Sequence, residues 1–401
     1  MSETIRGAVV TPEAVLTDGV VVIDDGVITW VGSAESAAGA GWGDAVAAVP
    51  AAPDRVVLPG LVDLHNHGGG GASFPDATNL DQVSTAVGEH ARHGTRHPVA
   101  SLVTAAPEVL RERVALLAEA ADQGLIAGIH LEGPFLSTAR CGAQDPDLII
   151  DGDAALTREL LELGRGHVVT MTVAPETPGL LGPGGVLAAL VEGGALPSWG
   201  HTDADATTMR TAVEAGVVAL AAHGESARSG RATVTHLCNG MPPIHHRDPG
   251  PVPTALAMAA QGALVVELVG DGTHLAPEFV REVFEMVGAD NVALVTDAMA
   301  AAGMPDGVYQ LGTQGVSVSD GVARLADGGS IAGGTAHLLD VVRTTVAAGV
   351  PLHDAVRAAS LVPAEVIGHR EVGRAFGALR AGYRAELVLT DRALRPLPAA
   401  T

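Results

Sequence analysis

A chain of 401 residues with 47% hydrophobic and 17% charged residues reads as compact rather than disordered, and it has room for one α/β barrel of about 250 residues plus a smaller domain. The net charge of −23 argues against a nucleic-acid or anionic-membrane partner. All 23 basic residues are arginine, which excludes a lysine Schiff base, a P-loop lysine and a carboxylated lysine bridging two metals. Cys141 and Cys238 stand apart with no C-x-x-C, so neither a thiolate zinc site nor a disulfide framework is expected. The first residues lack the charged and apolar regions of a signal peptide, and no apolar run reaches membrane-spanning length. A cytoplasmic protein is the expectation.

Residues 1–56 alternate short β-prone runs with turns, and Asp25-Gly26 between two of them is a hairpin signal. Ala34 to Ala48 reads as a weakly structured connector. The chain then enters VLPGLVDLHNHGGGG, residues 57–71, an apolar strand enclosed on both faces that ends in His65 and His67. Spaced by two in extended chain, these imidazoles point the same way. Four glycines follow and allow a sharp turn.

From there to about His369 strands alternate with helices. The strands expected are 60–64, 97–103, 125–131, 168–173, 196–200, 232–236, 263–269 and 292–296, with helices such as 80–93, 107–122, 204–215 and 277–287 between them. Eight such repeats predict a (β/α)8 TIM barrel over residues 58–370. Residues 373–382 are turn-rich and 384–390 read as a strand, so residues 1–57 and 371–401 are expected to combine in a small β-sandwich domain.

A barrel of this kind gathers side chains at the C-terminal ends of its strands. His65 and His67, Glu132, His201, His236 and Asp297 end strands one, three, five, six and eight. Imidazoles with carboxylates and no thiolate suit zinc and neighbouring divalent metals. Taken singly, each has a structural reading: Glu132 could cap the turn before Pro134, His201 and His236 could bond to backbone, and Asp297 could cap a short turn. Six strand-end placements of this kind speak for one metal site. His130, two before Glu132, reads as a core histidine, while His337 lies close behind the loop GGSIAGG and could reach a substrate.

At this point the residues resemble the amidohydrolase superfamily and, within it, the N-acetylglucosamine-6-phosphate deacetylase family. The motifs are PGLVDLHNHG, GIHLEGPFLS, GHTDAD, THLCNGMPPIHHRDPGP, VGDGTHLAPE, LVTDAMAAAGMPDG, SIAGG and GALRAGYRAELVLTD. The resemblance implies that Glu132, His201 and His236 hold a principal metal and that Asp297 transfers protons, with His65 and His67 as in two-metal members. Zinc, at one or two ions per subunit, is the metal expected. It further implies Asn239, Gly240, Arg247 and His274 as contacts for a phosphorylated amino sugar, and a homodimer whose neighbouring subunit completes the phosphate pocket. Many members carry a histidine, polarising the acetyl carbonyl, where this chain has Gln144. Glutamine can donate a hydrogen bond there but brings no positive charge.

Overall fold

The computed structural model describes residues 3–327, 329–368 and 375–398. Its centre is an eight-stranded parallel sheet. In chain order the strands are Leu61–Asn66, Thr95–Leu102, Gly128–Glu132, Val168–Val173, Leu196–Trp199, Ala232–Val234, Leu264–Leu268 and Val292–Leu294, each hydrogen-bonded to the next. Their runs of Val, Ile and Leu are buried throughout, as strands enclosed on both faces require. Helices follow the strands, and two of them, Pro107–Asp122 and Pro277–Val287, start on the proline that the sequence places at their first turn. The architecture is the (β/α)8 barrel expected. His369 and the expected boundary at residues 370/371 lie outside the described residues.

Strands eight and one meet through a few specific bonds rather than a regular ladder. The buried Asp63 carboxylate accepts from Thr296 Oγ1 at 2.7 Å and from Thr296 N at 3.2 Å. Just beyond, Asp297 N donates to His65 O at 2.9 Å and His67 N donates to Ala298 O at 2.7 Å. This seam sets Asp297 directly beside the first strand's two histidines. Strands six and eight end earlier than the sequence suggested, because the chain leaves extended conformation at functional residues. His201, His236 and Asp297 have φ of 46°, 25° and 49°. Such left-handed non-glycine conformations cost on the order of 1–3 kcal/mol each, and they turn these side chains into the barrel mouth.

The chain ends form a five-stranded sheet in the order Leu387–Thr390, Val56–Pro59, Glu3–Val10, Val15–Asp24 and Val27–Ser33. The Asp25-Gly26 hairpin is as expected, with φ of 47° and 75° at the turn. The connector after it carries a short helix, Gly43–Ala47, whose Val46 is buried against the sheet with Ala37. Gly68 needs to be glycine: its φ is 148° and a Cβ would lie 2.2 Å from Ala72 O.

One element was not anticipated. Gly307–Leu311, Gln314–Ser319 and Val322–Leu325 make an antiparallel three-stranded sheet after strand eight, packed through Leu311, Val316 and Ala323. Asp320-Gly321, flanked by alternating residues, is the local signal that marks its second turn. No helix among the described residues is long and apolar enough to cross a membrane.

Candidate metal centre and catalytic cavity

Six side chains from five strands meet at the C-terminal mouth of the barrel, all buried. Glu132 stands at the centre. Its Oε1 lies 2.9 Å from both His201 Nε2 and His236 Nε2, and its Oε2 lies 3.1 Å from His67 Nε2 and 3.7 Å from His65 Nε2. Asp297 Oδ1 closes the second group at 3.2 Å from His67 Nε2 and 3.4 Å from His65 Nε2. One carboxylate thus faces two pairs of imidazoles.

The orientation of the rings tests whether this set suits a cation. His67 Nδ1 donates to Ser101 O at 3.1 Å, His201 Nδ1 to Arg140 O at 2.8 Å, and His65 Nδ1 to Glu267 Oε2 at 3.3 Å. A neutral imidazole has a single N–H, so these bonds leave the Nε2 lone pairs pointing inward. The inward nitrogens crowd one another, at 3.0 Å for His65 and His67 and 3.1 Å for His201 and His236. Facing lone pairs repel unless something positive lies among them. Burial disfavours charge on His65, His67 and His201, yet Glu132 and Asp297 overcome it and raise all three, His67 to about 8. Protons there satisfy the same demand that a divalent ion would, and the donor set fits one.

Beyond the cluster opens a cavity of about 300 Å³ lined by Gln144, Asn239, Gly240 and His274 as well as five of the six cluster residues. Leu311, Ser330, Ile331 and Gly333, from the unanticipated sheet and the loop after it, complete the wall. His274 is held by Asp271, whose Oδ2 accepts from its Nδ1 at 2.8 Å, so its Nε2 faces Asp297 Oδ2 at 3.9 Å. Arg247 is not brought in. It is exposed on the loop that leaves the wall after Gly240, and no arginine is among the described lining residues.

The sequence matches the amidohydrolase family over residues 56–401. It is 34% identical over 330 residues to the N-acetylglucosamine-6-phosphate deacetylase of Bacillus subtilis, an alignment covering 80% of this chain and 76% of that one. The chain belongs to the amidohydrolase family. A second relative, the N-acetylgalactosamine-6-phosphate deacetylase of Escherichia coli O157:H7, is 30% identical with 85% of each chain covered. Among solved structures, an N-acetyl-D-glucosamine-6-phosphate deacetylase variant from Mycobacterium smegmatis, in complex with N-acetyl-D-glucosamine-6-phosphate, superposes with a TM-score of 0.84 at 38% identity. That match covers 98% of this chain and 96% of the other.

In this amidohydrolase the orientation of Gln144 follows from its neighbours. Thr104 N can only donate, and it donates to Gln144 Oε1 at 2.7 Å, so the amide nitrogen must face Glu132 Oε2, 2.7 Å away. Gln144 therefore presents N–H groups to the cavity, and they do not titrate. Sequence reasoning missed two residues at the site, Thr104 and Glu267. A glutamate inside the apolar strand Leu264–Leu268 was the available signal for the second. His130 is a core residue, donating and accepting between Ser101 Oγ at 3.0 Å and Thr172 Oγ1 at 2.8 Å. His337 turns away from the cavity, its Nε2 2.9 Å from Glu89 Oε1. With His93 these form a second group of ligand types, but Arg92 already pairs with Glu89 and Arg343 with Asp340 behind His337. Two guanidiniums so close oppose a cation there.

Proposed function

We propose that this chain hydrolyses the N-acetyl group of N-acetylglucosamine 6-phosphate to glucosamine 6-phosphate and acetate in amino-sugar catabolism. The observation that carries the reading is Glu132 set between two imidazole pairs with Asp297 at the edge of the same cavity. When bound, a divalent ion supplies Lewis acidity and brings the pKa of water towards ~7. Zinc suits the histidine and carboxylate donors, at one or two ions per subunit. Asp297 Oδ2, on the cavity side, accepts the proton of the attacking water and returns it to the departing amine nitrogen. Gln144 Nε2 donates to the developing oxyanion, in an orientation that Thr104 holds. Asn239, Gly240 and His274 meet the sugar.

Acetate release from N-acetylglucosamine 6-phosphate, with metal content measured on the same sample, tests the reading. The galactosamine isomer is the control arm, since one relative acts on it. Full activity after stringent removal of metal by chelator would sink the metal-dependent reading.

The phosphate needs a cationic donor, and the fork of Arg247 suits one. Its exposed loop, with Ile244 52% exposed beside it, is what a second subunit would cover, and a homodimer is part of this proposal. Arg247→Ala is expected to raise KM for the phosphorylated sugar by ~10-fold or more while barely changing KM for the unphosphorylated one. Equal effects on both substrates would remove Arg247 from phosphate binding, and light scattering checks the dimer. We assign the chemistry to a barrel domain of residues 58–370, and a structural role to a β domain of residues 1–57 and 371–401. The pairing of Leu387–Thr390 with Val56–Pro59 supports that division. A cytoplasmic location is in keeping with two free cysteines.

A further inference from the structure

We propose that Glu267 is the positioning residue for an ion position at His65 and His67. The inference rests on the metal-dependent reading above and adds a residue to it. Glu267 is 1% exposed on the seventh strand, inside the barrel and beneath the cluster. A carboxylate buried so deeply is costly unless it is bonded, and this one is bonded to the site itself. Its Oε2 is 3.3 Å from His65 Nδ1 and accepts from His236 N, also at 3.3 Å.

The first bond selects a tautomer. With its proton on Nδ1, facing Glu267, His65 keeps the Nε2 lone pair among His67 Nε2, Asp297 Oδ1 and Glu132 Oε2. Without Glu267 the proton is drawn to Nε2, where Asp297 and Glu132 accept it, and the nitrogen can no longer ligate. The second bond holds the backbone of His236 at its left-handed turn. His236 Nδ1 has no hydrogen-bond partner, so its ring is not oriented through that atom as the other three are.

The contrast with the remaining rings singles Glu267 out. His67 and His201 are oriented by backbone carbonyls, which the fold supplies whatever the side chain. For His65 the acceptor is a carboxylate, which also makes the ring a stronger donor to a metal. Its bond spans 202 residues of sequence.

Zinc titration of the metal-stripped full-length protein against a chromogenic competitor, with zinc per subunit counted by mass spectrometry, tests the proposal. The wild type is expected to bind in two steps. Glu267→Ala should weaken one step by ~10–100-fold and leave the other in place. Glu267→Gln, whose amide oxygen can still accept from His65 Nδ1, should recover most of that loss, with kcat rather than KM following the recovered ion. A single step in the wild type, two intact steps in Glu267→Ala, or equal loss from both steps in both variants would overturn the role of Glu267. A wild type that binds no zinc, and no other divalent ion, would instead overturn the reading beneath it.

Discussion

Replacing Asp297 by asparagine is expected to leave the metal content unchanged and to lower turnover by ~10²–10⁴-fold. The two oxygens of Asp297 face different neighbours: Oδ1 looks to His65 and His67, while Oδ2 looks into the cavity towards His274. Asparagine matches the shape and keeps an oxygen for the cluster side. What it cannot do is accept a proton from water and deliver it to the leaving nitrogen. Burial disfavours the charge of Asp297, yet His65 and His67 hold its pKa far below the usual carboxylate range in the metal-free protein. The residue is therefore ionised, the form that can take a proton. Single-turnover kinetics with parallel metal analysis is the measurement, and near-normal turnover would remove Asp297 from proton transfer.

Glu132→Gln is expected to abolish metal binding and activity together. Glu132 sets one oxygen against the ring nitrogens of each imidazole pair, and it is a buried carboxylate whose pKa is held well below normal: burial opposes the charge, but His65, His201 and His236 outweigh it. Both oxygens of Glu132 face imidazoles, so glutamine must place its nitrogen, which cannot ligate, on one of the two pairs, whereas Asp297 has a single oxygen on the cluster side. Zinc at ~100 times its dissociation constant should stabilise the wild type by about 2.7 kcal/mol. The glutamine variant should show no zinc-dependent shift in thermal unfolding. A shift equal to that of the wild type would mean that Glu132 is not a ligand.

Much of this was legible in the chain because it is written locally. Enclosed apolar runs mark several of the barrel strands, and the prolines at Pro107 and Pro277 mark two helix starts to the residue. The His-x-His spacing of His65 and His67 in extended chain puts both rings on one side, and in the structure their Nε2 atoms are 3.0 Å apart. The sheet over residues 307–325 was harder to read, since its strands are short and half polar, with only Asp320-Gly321 as a turn signal. Gln144 could be read as a departure from a motif, but the direction of its amide depends on Thr104 N, forty residues upstream.

The sequence by itself determined which residue types stand at the ends of which strands, because strand, turn and helix signals act over a few neighbours. Only the closed barrel decided which of those ends touch. Asp297 reaches His65 because the seam between the last strand and the first is sealed by Asp63 and Thr296, and Glu267 of the seventh strand reaches His65 of the first across the barrel interior. Arg247 stays outside, exposed on a loop beyond the cavity wall. Such contacts join residues hundreds of positions apart, and no local propensity carries them: they exist only once the backbone has paid the entropy of closing the barrel.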